Sequence, residues 1–244
     1  MLGLTTAPVV NPPAAVLATT RINNAKRFSG LPGIVAPITA TLPRQQLSNA
    51  RAAATLASQG LEFPLLLRTP GFHTGLNFLR VETFKELPAA LAQLPGEELI
   101  VMQFLDARGP DGKFRKYRAM MINEQLYPLH VAISDHWKVH YFTAEIAGHP
   151  EHRAEEAAYL ENMSGVLGPL AMSALERIQS VLGLDYGGID FGLNAKREIL
   201  VFEANATMAV LPPEPDARWN YRLPAYQRIH AGVQKMLLDR ACAM

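Results

Sequence analysis

The sequence predicts an α+β protein with two lobes, each built on an antiparallel sheet. Helices and strands alternate in the first half of the chain, and the second half contains apolar runs that pair as antiparallel strands. Long amphipathic helices follow those runs, which places helices on one side of the second sheet. A chain of 244 residues is long enough for one large domain or two small lobes with a real core.

The first half predicts a smaller lobe with a glycine-bearing loop. Residues 1–20 are rich in Pro, Ala and Thr and predict an extended lead-in. The predicted elements that follow are a helix at 21–27, a strand at 35–42, a helix at 45–58, strands at 63–68 and 77–81, a helix at 83–94 and a strand at 98–105. The loop at 69–75 can fold over a triphosphate, because glycine lets backbone N–H groups approach oxyanions closely. A plain hairpin turn is the alternative.

The second half predicts an antiparallel sheet and three helices. Its predicted elements are strands at 115–122, 126–134 and 139–142, helices at 149–160 and 165–182, a hairpin at 189–205, a loop at 212–219 and a helix at 224–239. Alternation along the first of these strands places Lys116 and Arg118 on one face with Met120. His149 and His152 have metal-like spacing on a helix, but no third ligand is apparent.

Composition excludes several classes of protein. With 49% hydrophobic and 18% charged residues and a net charge of +1, the chain gives no electrostatic reason to expect nucleic acid or an anionic membrane as partner. Cys242 is the only cysteine, so an internal disulfide is impossible and a reducing, cytoplasmic setting is predicted. We find no signal peptide, and no apolar run of about 18 residues that would predict a transmembrane helix.

The stretch from Gly188 to Asn205 is the most informative in the chain. A hairpin symmetric about its polar turn sets Leu193 opposite Leu200, Phe191 opposite Phe202, and Asp190 opposite Glu203. Side-chain alternation then leaves one polar face, formed by Asp190, Gly192, Val201, Glu203 and Asn205. Facing carboxylates repel, and a cation between them removes that cost. Two carboxylates and an amide oxygen suit magnesium bound to a nucleotide phosphate, whereas a solvated polar face is the alternative.

Four blocks, taken in order, resemble the ATP-grasp superfamily, specifically its glutathione synthetase and glutamate-ligase type. They are FPLLLR (63–68), ELIVMQFL (98–105), RKYRAMMI (115–122) and DYGGIDFG…ILVFEAN (185–205). The resemblance implies an ATP-grasp fold that traps ATP between two α+β lobes. It also implies that Asp190, Glu203 and Asn205 hold Mg²⁺ on the phosphates.

The same resemblance implies a nucleotide site along the hinge strand and the glycine loop. The end of strand 98–105 would bind adenine through backbone atoms, and Gln103 stands where the family often has a glutamate. Arg21 and Arg68 stand where the family normally has phosphate-binding lysines, and arginine presents a planar fork instead of a point charge. The residues assigned to ATP are Arg21, Arg68, Gly71, His73, Thr74, Gly75, Gln103, Phe104 and Leu105.

Two residues are assigned to catalysis. Arg118 matches an arginine that reaches the transferred phosphoryl group, for which a bidentate fork is suited. Lys138, or His140 close by, would contact the carboxylate substrate, and ordinary surface residues are the alternative there.

The function implied is an ATP- and magnesium-dependent carboxylate–amine ligase that acts through an acyl phosphate. Its partners would be ATP with small carboxylate and amine substrates or a peptide, and ligases of this type often form symmetric dimers or tetramers. A phosphotransferase on the same fold and a non-catalytic nucleotide-binding or interaction module are the alternatives.

The expected lobes span 21–104 and 105–240. VVNPP (9–13) resembles the exit from a preceding domain, so a longer multidomain chain is expected, or else a minimal form.

Overall fold

Two β-sheets border a common cleft in the computed structural model, which describes residues 8–72, 75–139 and 146–242. The predicted α+β class with antiparallel sheets is confirmed. Among the helices described, none has both the length and the apolar character needed to cross a membrane.

The smaller sheet has four antiparallel strands in the order β2-β5-β3-β4. They are β2 (Thr39–Pro43), β3 (Leu65–Arg68), β4 (Phe78–Val81) and β5 (Glu98–Gln103). The helices beside them are α3 (Arg44–Leu47), α4 (Ala52–Ser58) and α5 (Leu87–Gln93), with a 3₁₀ turn at Phe84–Glu86. Leu65, Leu67, Leu99 and Val101 are fully buried on the helix-covered face.

The larger sheet has five strands in the order β1-β9-β8-β6-β7, of which only β1 and β9 are parallel. They are β1 (Ile34–Val35), β6 (Phe114–Ile122), β7 (Gln125–Ser134), β8 (Tyr186–Leu193) and β9 (Ile199–Asn205). Its helices are α1 (Pro13–Leu17), α2 (Arg21–Phe28), α6 (Pro150–Glu161), α7 (Met163–Leu182) and α8 (Leu223–Cys242), with 3₁₀ turns at Ile146–Gly148 and Ala217–Arg222.

Helix α7 forms the main support of the larger sheet. Ala171, Leu175 and Ile178 recur at helical spacing and are fully buried against the strands. Burial of each Leu or Ile contributes about 1.5–3 kcal/mol. The helix ends at Gly183, which has a left-handed φ of 63° that glycine adopts without strain.

Helices cover both faces of the larger sheet, so the prediction of helices on one side was wrong. Met121 packs in the core beneath α7, whereas Met120 and Ile122 point the other way and pack against Ile229 and Met236 of α8. This follows from alternation along β6. Helix α8 covers only the far end of that second face. The end of β6 that carries Lys116 and Arg118 therefore faces the cleft.

The described segment that precedes the smaller sheet packs against the larger sheet. Helix α1 lies within the predicted extended lead-in. Phe28 of α2 and Ile34 of β1 are buried in the core of the larger sheet, because β1 pairs with β9. The smaller sheet begins only at Thr39.

The predicted helix at 45–58 is broken into α3 and α4. The Asn49 side chain accepts the Arg51 N–H at 2.8 Å and donates to the Gln45 carbonyl at 2.8 Å, so it competes with helical pairing of the backbone. The predicted strand at 139–142 falls mostly outside the described residues.

Candidate functional site

The cleft between the sheets contains a cavity of about 340 Å³. Both sheets and the hinge at the end of β5 contribute to its walls. Ten of the predicted site residues line it, namely Arg21, Arg68, Gly75, Gln103, Phe104, Leu105, Arg118, Lys138, Asp190 and Glu203. Gly71 and Asn205 do not line it, and His73, Thr74 and His140 lie outside the described residues.

The hairpin of β8 and β9 has the predicted register only at the end that lies farthest from its turn. Asp190 lies opposite Glu203, as predicted, but Phe191 lies opposite Val201 because a β-bulge at Phe202 inserts one residue into β9. Val201 therefore enters the core beside Phe191, and Phe202 lines the cleft. The predicted pairs Phe191–Phe202 and Leu193–Leu200 were wrong by this one residue.

Asp190 is a buried carboxylate held by two basic side chains of β6. Arg118 donates from Nε to Oδ1 at 2.5 Å and from Nη2 to Oδ2 at 2.8 Å, and Lys116 Nζ lies 3.2 Å from Oδ2. Burial alone would raise the pKa of Asp190, but Lys116 and Arg118 outweigh it and hold that pKa well below its usual range. Asp190 is thus an ionised group with its charge already compensated.

Glu203 is compensated by a residue from the start of the chain. Arg21 Nη2 lies 2.7 Å from Glu203 Oε1, and Arg21 Nη1 donates to the carbonyl of Phe202 at 2.8 Å. Helix α2 supplies this arginine because it packs beside β9. The bulge and the carboxylate next to it are therefore both held by Arg21.

The third predicted magnesium ligand is also engaged. Asn205 Oδ1 accepts from the Thr207 N–H at 2.8 Å and from Thr207 Oγ1 at 3.1 Å. Both oxygens of Asp190 and Oε1 of Glu203 are engaged by guanidinium and ammonium groups. The three residues therefore do not present a fully free, all-oxygen donor set for Mg²⁺, and a metal on Asp190 would have to displace Arg118 or Lys116.

Arg68 faces this cluster from the smaller sheet. It lines the same cavity as Arg21, and its Nη2 donates to the carbonyl of Phe72. Burial and the nearby positive charge of Arg21 lower the pKa of Arg68, and Glu203 opposes the shift. Two guanidinium groups thus approach each other across the cleft.

The hinge after β5 lies at the apolar end of the cleft. The N–H of Gln103 donates to Ile38 at 2.9 Å and that of Phe104 to Pro64 at 3.2 Å, so internal bonds use both donors. The Gln103 side chain accepts the Ile38 N–H at 3.4 Å. Arg80 stacks over the ring of Phe104 at 3.9 Å.

Lys138 bridges the two lobes at the rim. Its Nζ donates to the carbonyl of Gly75 at 3.2 Å, so it holds the end of the glycine loop. The adjacent Trp137 packs edge-on against Phe78 of β4, with ring centroids 5.3 Å apart, and against Phe104 at 6.4 Å. Sequence reasoning assigned Lys138 to a substrate, whereas in the structure it contacts the loop.

Sequence reasoning missed three residues that shape the cleft. Lys116 is one, although its position two residues before Arg118 placed it on the same face. Phe202 reaches the cleft only through the bulge, and Trp137 lies in a segment without a readable pattern. No local signal identified the last two.

Within the described ranges, one other group of side chains has metal-like geometry. His149, Glu151 and His152 bring their ligand atoms within 4.8 Å of one another at the start of α6. Lys113 Nζ lies 3.0 Å from His152 Nε2, however, so a cation already occupies one of these ring nitrogens. Glu151 is the third possible ligand beside the two histidines, and the sequence did not reveal it.

Comparison with known proteins identifies the fold. A scan against protein-family models and a search of curated proteins found no match. Solved structures do match: the VanG D-Ala:D-Ser ligase from Enterococcus faecalis is 16% identical with a TM-score of 0.57, over 94% of this chain and 65% of that one. The D-alanine–D-alanine ligase from Bacillus anthracis, solved with ATP, is 15% identical with a TM-score of 0.54, over 98% and 72%.

A third match is the ATP-grasp ligase PsnB, solved with a precursor peptide and AMPPNP. It is 14% identical with a TM-score of 0.51, over 94% of this chain and 64% of that one. This chain thus spans less than two thirds of the first and third of these structures. It has the ATP-grasp fold, and the predicted resemblance is confirmed at the level of the fold.

Proposed function

We propose that this protein binds ATP in the cleft between its sheets and uses it to join a carboxylate to an amine. The observation that carries the proposal is the convergence of Arg21, Arg68, Lys116 and Arg118 on one cavity of an ATP-grasp fold. Guanidinium and ammonium groups bind phosphate oxygens, and a low-dielectric cleft strengthens the attraction. Phe104, Leu105, Leu66 and Met102 offer the apolar walls that adenine would need.

The proposed reaction has two steps. A carboxylate oxygen attacks the γ-phosphorus of ATP, the bond from that phosphorus to the β,γ-bridging oxygen breaks, and ADP leaves with the electron pair. An amine then attacks the acyl carbon of the acyl phosphate, inorganic phosphate leaves, and the amine loses a proton. In this chain the arginines would position the phosphates and stabilise the charge that moves onto ADP.

Nucleotide binding is tested by thermal unfolding with and without ATP. An ATP concentration a hundredfold above Kd should add about 2.7 kcal/mol to the free energy of unfolding. Arg68→Met should remove most of that gain because Arg68 lines the cavity, whereas Arg51→Met, an exposed arginine of the same lobe, should keep it. Equal gains in the two variants, or none in the wild type, would reject the proposal.

Turnover is tested by ADP release with panels of carboxylates and amines. ADP release that requires both substrates supports the ligase, and phosphate transfer to a hydroxyl compound without any amine supports a phosphotransferase. ATP binding without turnover across the panels supports a nucleotide-binding module. The ion-paired state of Asp190 and Glu203 is the observation that favours this last candidate.

A further inference from the structure

We infer that the protein's own cations, and not a divalent metal, balance the charge of the polyphosphate bound in this cleft. The inference deepens the proposed function and rests on it. Its starting point is that both carboxylates expected to hold magnesium already have basic partners, Arg118 and Lys116 on Asp190, and Arg21 on Glu203.

The geometry of the Asp190 clamp makes metal binding costly. Asp190 is only 3% exposed, and Arg118 contacts both of its oxygens. A metal on Asp190 would have to break a bidentate pair and place its own charge beside Lys116, 3.2 Å away. Repulsion between such charges is large in a buried site.

The charge of the cluster is that of an anion site. Four basic groups lie on the cavity wall with the carboxylates Asp190 and Glu203, and Arg115 and Lys138 line the cavity as well, so its lining has an excess of positive charge on a chain whose total is +1. The basic groups are Arg21, Arg68, Lys116 and Arg118. A triphosphate without metal supplies the opposite charge, and arginine forks match its oxygens.

The approach of Arg68 to Arg21 is a second, independent indication. These guanidinium groups come from different lobes and line the same cavity, where Arg21 also has an ion pair with Glu203. Like charges held together across a cleft repel unless an anion lies between them. A bound phosphate would therefore draw the two lobes together.

Calorimetry with ATP, in EDTA and in saturating magnesium, tests the inference. The two dissociation constants should agree within about threefold, whereas a metal-dependent site would bind at least about tenfold tighter with magnesium. Binding only in magnesium would overturn the inference and leave the proposed function intact. Absence of ATP binding in both buffers would reject the proposed function.

Binding of inorganic tripolyphosphate in EDTA distinguishes failure of the inference from failure of the proposed function. If tripolyphosphate binds without metal but ATP binds neither in EDTA nor in magnesium, the cluster is an anion site and the nucleotide function fails. If neither binds in EDTA, the inference is overturned.

Two variants identify the groups responsible. Lys116→Gln should weaken binding of ATP in EDTA at least about tenfold, because a charge beside the phosphates is lost, while the exposed Lys85→Gln should not. Glu203→Gln removes a negative charge and should bind ATP in EDTA as tightly as wild type or tighter. Loss of ATP binding in EDTA by Glu203→Gln, with circular dichroism showing that the variant is folded, would overturn the inference, because removal of a negative charge should not weaken a cationic anion site.

Discussion

At the scale of single residues, the decisive feature is a buried carboxylate with two basic partners. Asp190 on β8 is clamped by Arg118 and Lys116 on the neighbouring strand β6, because Arg118 and Asp190 are direct cross-strand partners. The pairing holds an ionised group in the protein interior, where an unpaired charge would be very costly.

The clamp predicts a large effect of Asp190→Asn on stability. The change leaves two basic groups without their counter-charge, and the free energy of unfolding should fall by about 3 kcal/mol. Denaturant unfolding measures the loss. The matched control is Asp239→Asn, whose exposed i,i+4 partner is Lys235 at 2.7 Å, and it should cost no more than about 0.5 kcal/mol. Equal costs would show that the Asp190 pairs contribute no more than surface ion pairs.

His152 predicts a pH dependence of stability. Burial, and then the positive charge of Lys113, lower the pKa of His152 below its ordinary 6.5. The unfolded chain then binds a proton that the folded protein does not, so stability should be full above pH 6.5 and fall as the pH drops below that value.

Chemical unfolding at a series of pH values measures this effect. His152→Gln should flatten the profile below pH 6.5, since its amide oxygen accepts from Lys113 and does not titrate in this range. The exposed His230→Gln should leave the wild-type slope. An unchanged slope in His152→Gln would assign the pH dependence to other groups.

At the scale of elements, the bulge in β9 determines what the cleft contains. Because the bulge inserts Phe202, the side chain of Val201 packs in the core and the ring of Phe202 lies in the cleft beside Glu203. Gly192 makes room for that ring, since a Cβ there would lie 2.9 Å from Phe202 Cζ and 2.5 Å from Ala107 Cβ.

Gly192→Ala should therefore destabilise the protein by about 1–3 kcal/mol through overpacking. Thermal unfolding measures the loss, and ATP affinity should change as well because Ala107 and Phe202 both line the cavity. Gly148→Ala is the control, since its Cβ meets nothing within 4 Å, and it should be nearly neutral. A neutral Gly192→Ala would mean that the hairpin relaxes at no cost.

At the scale of the whole molecule, two sheets with separate cores meet at the cleft. Among the described residues, besides the hinge, Trp137 packs on Phe78, Lys138 donates to the carbonyl of Gly75, and helix α2 contacts β2. An aromatic pair contributes about 0.5–1.5 kcal/mol beyond burial. The contact of Trp137 with Phe78 therefore contributes to the relative position of the lobes.

Trp137→Ala should loosen the smaller sheet. Without contacts to Phe78 and Phe104, the amide hydrogens of β4 should exchange faster, which hydrogen-exchange mass spectrometry detects. Phe84→Ala is the control because Phe84 contacts Phe63 within the smaller lobe and does not bridge to the other. Unchanged exchange in β4 would show that the hinge alone positions the lobes.

The sequence by itself determined the fold class, most of the elements and the pairing of Asp190 with Glu203. These depend on local signals: the period of apolar residues, the polar turn and the alternation of side chains along a strand. It also placed ten of the residues that line the cleft, because the order of the blocks resembles a known fold.

The tertiary structure alone decided what those residues contact. Arg21 reaches Glu203 across 182 positions of the chain, and Arg118 reaches Asp190 across 72. The bulge at Phe202 shifts half of the hairpin by one residue. Ion pairs between distant segments and a one-residue change of register leave no local pattern, because they depend on how separately formed elements pack against one another. For that reason the sequence did not reveal that Asp190 and Glu203, two residues of its predicted metal site, have basic partners in the folded protein.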